Sequence, residues 1–154
     1  MRRRRVRQLT GNYLQHHANV QVRFQEVDAL RIVWHGHYLS YFEIARVEFG
    51  KKYGLNYTDF VDAQLLVPVV HASCDYIQSA SFQDELDVTA RLYKQVSAKL
   101  HYVFEIRRAG QDAILAKGET VHVFTDMNSA LCLTMPQFMI DWYARWDSEM
   151  LADG

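Results

Sequence analysis

Residues 22–49, VRFQEVDALRIVWHGHYLSYFEIARVEF, bring the most reactive side-chain types of the chain into one short stretch. Asp28 follows a strand-like segment at residues 19–24 and precedes a polar-to-apolar switch that should start a helix near residues 36–38. A carboxylate acts as a base or a nucleophile, and the unpaired N–H groups at a helix start stabilise an oxyanion. Asp28, His35, His37 and the helix start share one loop, so the chemistry they indicate is acyl transfer to water. Between Val27, Ala29 and Leu30, Asp28 should lose part of its hydration, which makes the anion more reactive. Direct attack on the carbonyl and activation of a water both remain open.

Other constellations are weaker. His35-Gly36-His37 offers two imidazoles, but no third and fourth ligand stands at strand or helix spacing, so no metal is expected. Glu43 and Arg46 lie three apart and should form an ion pair along the helix, while Tyr38 and Tyr41 should pack with their hydroxyls partnered. His71, His101 and His122 fall in strands and read as structural imidazoles. Cys74 and Cys132 follow no CxxC spacing and read as reduced, small core residues. No Gly-x-Ser-x-Gly elbow and no phosphate-binding glycine pattern is present. Lys94, Lys99, Arg107 and Arg108 should gather around a pair of hairpin strands, where a phosphate could meet them.

These residues need a scaffold. With 154 residues, 49% of them hydrophobic, one domain with a real core is expected. A net charge of −1 argues against nucleic acid as a partner, and no stretch is apolar enough to span a membrane. The arginines at positions 2–5 and 7 belong to a basic tail taken as residues 1–18, ahead of a single domain at residues 19–150. Residues 38–53 read as a helix with a broad apolar arc, closed by Lys51, Lys52 and a left-handed Gly54. A polar turn at residues 56–59 follows. Strands are then expected at residues 66–77, 85–92, 99–107 and 114–124, the last two joined by a turn at 109–112. Leu86, Val88, Ala90 and Leu92 should face inward, as should Leu100, Tyr102, Phe104 and Ile106. Gly118 marks either a bulge or a close approach by the helix. Thr134 to Gln137 reads as a capping box opening a last helix with Pro136 in its first turn. The order is strand, helix, four strands, helix, which is α+β.

Residues 22–49 also resemble the signature of hotdog-fold acyl-CoA thioesterases of the 4-hydroxybenzoyl-CoA thioesterase and YbgC type. That signature runs aspartate, two spacers, glycine, an apolar stretch, His-x-Asn-Tyr and Phe-Glu-x-Ala-Arg. Asp28, Ile32, Val33, His35, Tyr38, Phe42, Glu43, Ala45 and Arg46 fall in register, and a looser match continues to about Asp126. Arg31 stands where the family usually has glycine, and His37 where it usually has asparagine.

The resemblance implies a hotdog fold, an antiparallel sheet wrapped around a long central helix, here with an extra C-terminal helix. It implies hydrolysis of an acyl-CoA or acyl-carrier-protein thioester, with Asp28 as nucleophile or general base and backbone N–H groups near His35 polarising the carbonyl. Arg31, Trp34, His37, Tyr38, Phe42, Glu43, Ser97 and Lys99 become candidates for substrate contact. No separate cofactor is implied, since coenzyme A is part of the substrate. A cytoplasmic homodimer or homotetramer with a site between protomers is expected. A hotdog dehydratase and a non-catalytic acyl-thioester binder are the alternatives; the first usually carries a His-Phe-Pro-Gly pattern that this chain lacks.

Overall fold

The computed structural model describes residues 11–152. A six-stranded antiparallel sheet is built from β1 (Asn12–Gln21), β2 (Val69–Tyr76), β3 (Glu85–Tyr93), β4 (Lys99–Arg108), β5 (Ile114–Val123) and β6 (Leu151–Ala152), in the order β2-β5-β4-β3-β1-β6. The long helix α1 (His37–Tyr53) crosses one face, and α2 (Tyr57–Asp62) and α3 (Gln137–Trp146) close its far end. This is the expected α+β hotdog architecture.

The alternation in β3 and β4 sorts side chains as the pattern required. Leu86, Val88, Ala90, Leu92, Leu100, Tyr102, Phe104 and Ile106 are all buried against the helix side. The helix presents Tyr38, Tyr41, Phe42, Ala45, Phe49 and Tyr53 to that surface, spaced by three and four residues as a helix requires. Leu39 lies just off this stripe and is partly exposed, so the buried arc is narrower than the apolar one. Phe42 stacks on Phe104 with ring centroids 4.7 Å apart, and a Cβ at Gly118 would overlap the Phe42 ring. Gly118 pairs in register with both Cys74 and Phe104, so it serves close approach and forms no bulge. The helix ends where expected, on Gly54 at φ 76° with Lys51 and Lys52 in the last turn.

Four boundaries differ from expectation. The first strand begins at Asn12, not near residue 19, and pairs with β3 from Tyr13↔Tyr93 onward. Residues 12–18 therefore belong to the sheet rather than to a tail; Tyr13, Leu14 and Ala18 are buried there although intervening polar residues hide the period. The basic residues 2–7 lie outside the described residues. The turn read at residues 56–59 is the start of α2, because Asn56 and Asp59 make a reciprocal capping box. The last helix opens after Pro136, whose extended ψ of 147° leaves Thr134 no capping role; the Pro136 carbonyl instead accepts from Met139 and Ile140. Residues 151–152 add β6, which pairs with Asn12 and Tyr13 at the outer edge of β1.

Beneath α1 lies a small polar cluster. His122 is buried, with Nδ1 3.3 Å from the Val67 carbonyl and Nε2 3.1 Å from Thr120 Oγ1. Both contacts suit a neutral ring that donates from Nδ1 and accepts from the hydroxyl. Burial, reinforced by the nearby Arg46 guanidinium, holds its pKa down at about 4 against an ordinary 6.5. In the unfolded chain His122 takes up a proton below its ordinary pKa, whereas the folded ring resists it until about pH 4. Stability contributed here is thus intact above pH 6.5 and lost as the pH falls toward 4, by up to about 3 kcal/mol. Urea unfolding at pH 7 and pH 4.5 should show a smaller acid-induced loss for His122→Gln than for the wild type.

Candidate active site

The loop between β1 and α1 is pinned by backbone pairing to the segment that joins β2 to β3. Val22 N–H donates to Asp84, Ile32 bridges Ser81, and Val33 N–H reaches the Ala80 carbonyl at 2.9 Å. Val27 and Val33 close a small hairpin whose tip is Asp28 to Arg31. Arg31 N–H returns to the Asp28 carbonyl and Asp28 N–H to the Ile32 carbonyl, each at 2.9 Å. A three-residue hairpin of this kind needs a left-handed residue at its exit. Arg31 supplies it at φ 63°, at a cost of about 1–2 kcal/mol for an L-residue. The arginine thus keeps the left-handed angles that a glycine would adopt without strain.

Glu26 anchors the loop from below, and it was not singled out from the sequence. Its buried carboxylate accepts Arg23 N–H at 2.8 Å and the Tyr41 hydroxyl at 3.2 Å, and its carbonyl accepts Trp34 N–H. Burial, followed by the Glu26 charge, keeps the Tyr41 phenol protonated far into the alkaline range. A buried acid is invisible to a hydropathy pattern; its one sequence signal is its spacing three residues from Arg23.

Beside the hairpin lies a cleft of about 230 Å³. Asp28, His35 and Tyr38 line it from the loop and the helix start, with Leu30, Ile32 and Val33 as its apolar wall. Tyr76, Ile77, Gln78 and Ser79, from the end of β2, form the opposite side. Asp28 is the one charged side chain in the lining, and its Oδ1 accepts Leu30 N–H at 2.8 Å, which fixes its direction. It is not shielded by its sequence neighbours as expected: Leu30 is 76% exposed, because the hairpin tip turns Ala29 and Leu30 toward solvent. At the helix start, His37 N–H goes to the Trp34 carbonyl, and no side chain caps the first turn. The next N–H groups of the turn have no helical carbonyl within reach.

The remaining candidates separate. Arg31 is exposed and forms no ion pair with Asp28 among the described residues. Trp34 is outside the cleft; its ring covers Gly36 and packs on His35 and His37 at centroid distances of 4.9 and 5.5 Å. His-Gly-His thus reflects a tryptophan lying across a residue with no room for a Cβ. His37 starts the helix but does not line the cleft. Phe42 is sealed in the core against Gly118, so it is no pocket residue within this chain. Glu43 accepts two bonds from Arg46, at 2.6 and 3.1 Å, as the spacing required.

Ser97 and Lys99 stand at the other end of the sheet from Asp28, since Lys99 opens β4 and Arg108 closes it near the cleft. The four expected cations therefore do not gather: eight residues of strand, about 26 Å, separate Lys99 from Arg107. Lys94 pairs with Asp147 at 2.7 Å, Arg107 with Glu105 at 2.7 Å, and Arg108 with Asp84 at 3.0 Å. Arg108 also donates to the Ser79 carbonyl at 2.7 Å and so holds one wall of the cleft. Cys74, on the inner face beside Tyr76, is half-buried, and burial raises its thiol to about 11, which suits a packing residue.

Comparison with known proteins adds to this picture. Residues 22–143 match the thioesterase-like superfamily model. A relative from Aquifex aeolicus, provisionally named an esterase, is 32% identical over 102 residues, covering 66% of this chain and 78% of its own. A 1,4-dihydroxy-2-naphthoyl-CoA hydrolase from Nostoc punctiforme is 28% identical over 125 residues, 80% of this chain and 83% of its own. The solved structure of a 1,4-dihydroxy-2-naphthoyl-CoA thioesterase from Synechocystis superposes with a TM-score of 0.75 at 21% identity, covering 86% of this chain and 98% of that one.

The strain at Arg31 is measurable. Arg31→Gly removes the left-handed cost but adds freedom to the unfolded chain, worth about 0.4–1 kcal/mol. The net expectation is a gain of about 0.5–1 kcal/mol, or a melting temperature about 1–4 °C higher by calorimetry. A lower melting temperature would mean that the arginine side chain stabilises the loop by contacts that outweigh its backbone cost.

Proposed function

The chain belongs to the thioesterase-like superfamily and is a thioester hydrolase, and from that premise we propose that it hydrolyses acyl-CoA thioesters at the Asp28 cleft. The observation that carries this reading is the meeting, in one apolar cleft, of a lone carboxylate and the uncapped start of a long helix. A thioester carbonyl seated there has Asp28 on one side and N–H donors at the start of α1 for its oxygen. Asp28 either attacks the carbonyl carbon, expelling the CoA thiolate and leaving a mixed anhydride for water to cleave, or removes a proton from an attacking water. Both routes yield the free acid and the thiol. The match of residues 28–46 to the 4-hydroxybenzoyl-CoA thioesterase and YbgC signature supports placing the chain in that branch. Arg31, outward at the rim, is suited to an anionic group of the substrate.

We further propose that the working unit is a homodimer joined through β2. At the other edge β6 pairs with Asn12 and Tyr13 of β1, whereas β2 pairs on one side alone among the described residues and exposes Val69, Val70 and Ile77 beside it. An uncovered edge of this kind is a template for pairing. A two-fold join of β2 to β2 reverses strand direction across the seam. The end of the second copy that carries Ser97 and Lys99 then falls on the same side as Asp28, with β4 about 14 Å beyond β2. This supports the contact of Ser97 and Lys99 with the CoA moiety, but from the neighbouring copy.

With a panel of aryl and fatty acyl-CoAs, Asp28→Asn should lower turnover by at least about a hundredfold, the scale of acid–base catalysis, with an unchanged melting temperature. Near-normal turnover in a folded variant removes Asp28 from the mechanism. Light scattering at micromolar concentration should give a dimer or larger; a monomer that keeps its activity would contradict the shared site.

A further inference from the structure

Tyr76, the last residue of β2, has no part in the chemistry above, yet its hydroxyl donates to the His35 carbonyl at 2.7 Å. That bond ties the edge strand to the two residues that lead into α1. The ring is held for the purpose: Tyr38 meets it edge-on at 5.1 Å and the His35 imidazole at 6.3 Å. The residue is half exposed, and the partial burial of its phenol, with the neighbouring Cys74 adding to it, raises the pKa to about 12, so it remains a donor across the working range of pH.

The peptide that accepts this bond is the one most in need of it. It joins His35 to Gly36, and Gly36 lacks a Cβ because the Trp34 ring occupies that space. A peptide preceding glycine turns over more freely than others, since the glycine φ is unrestricted by side-chain sterics. In a planar trans peptide, C=O and N–H point in opposite directions. Fixing the His35 carbonyl therefore fixes the Gly36 N–H and, through it, the approach of the chain to the first turn of α1. The segment is gripped from the other side by Trp34 N–H on the Glu26 carbonyl at 2.9 Å. We propose that Tyr76 is a positioning residue: by pinning the His35–Gly36 peptide it sets the N–H donors that receive the thioester oxygen. The proposal rests on the reading of the cleft as a thioester site, and it names a residue outside the signature stretch. It also makes the geometry of the helix start depend on β2, the strand left open at the sheet edge.

The test compares Tyr76→Phe and Tyr76→para-aminophenylalanine with the wild type. Tyr76→Phe should lower kcat about tenfold, the rate equivalent of one net hydrogen bond, with KM within about threefold. The para-amino variant keeps a donor at the same place and should recover most of kcat. Hydrogen exchange followed by mass spectrometry should quicken in peptides covering residues 34–39 of Tyr76→Phe and stay unchanged in those covering β3 and β4. Wild-type kcat in Tyr76→Phe overturns the proposal, as does an equal loss in both variants. Should the wild type itself hydrolyse no acyl-CoA while exchange still quickens at 34–39, the pin stands and the reading of the site as a thioesterase falls. Unchanged exchange there removes the pin whatever the activity.

Discussion

The contact on which the molecule depends is that of Phe42 with Gly118 and Phe104. The ring lies flat on Phe104 and fills the space a Cβ at residue 118 would need. It brings α1 down onto the sheet at its middle and sets both helix ends by geometry alone. At 1.5 Å per residue, the first turn falls beside the end of β2 and the last beneath α3. There the indole N–H of Trp142 donates to the Tyr53 carbonyl at 2.6 Å. A larger residue at 118 would lift the helix and open the core, and it would also move the helix start away from Asp28. Core packing and site geometry are the same constraint seen at two distances.

The loop that carries Asp28 is held by backbone and buried polar groups rather than by apolar contact. Its hairpin tip is open to solvent, while its base is tied to residues 80 and 81, to Asp84 through Val22, and to the Glu26–Tyr41 bond. Such a loop keeps a carboxylate directed without enclosing it. The strain at Arg31 is compatible with this, because the surrounding hydrogen bonds over-determine the turn. One face of the cleft is rigid through α1, and the other through β2 and the grip of Arg108 on Ser79.

How far this was legible in the sequence depended on the range of the interaction. The strands with strict alternation, β3 and β4, and the helix closed by Gly54 were readable because a period and a cap are local properties. Asp28, His35 and Tyr38 were readable because they lie in one motif and meet in one cleft. The opposite wall, Tyr76 to Ser79, was not, since pairing across some fifty residues brings it there and no spacing encodes that. Trp34, Phe42 and Lys99 were named for substrate contact through side-chain type and the family resemblance, neither of which carries the packing. Within this chain the Trp34 ring covers a glycine, Phe42 fills the core and Lys99 stands at the distant end of the sheet. The beginning of β1 was missed because Gln15, His16 and His17 interrupt its apolar residues.

The outer face of the sheet bears on how such a chain associates. It carries His17 near Asp87, Arg91 on Gln15 and Arg107 on Glu105, while the Glu119 carboxylate lies 2.7 Å from His101 and 3.4 Å from His71. Burying that face against another sheet would strip water from many charged groups already paired with one another, and such pairs seldom recover their desolvation cost. Adding a strand at β2 demands much less. It satisfies backbone N–H and C=O groups that otherwise need water and covers the exposed Val69 and Val70. The polarity of the face and the bareness of the edge therefore favour the same mode of assembly, sideways growth of the sheet. Growth in that direction would set a second copy next to the strand carrying Tyr76 and the wall of the Asp28 cleft.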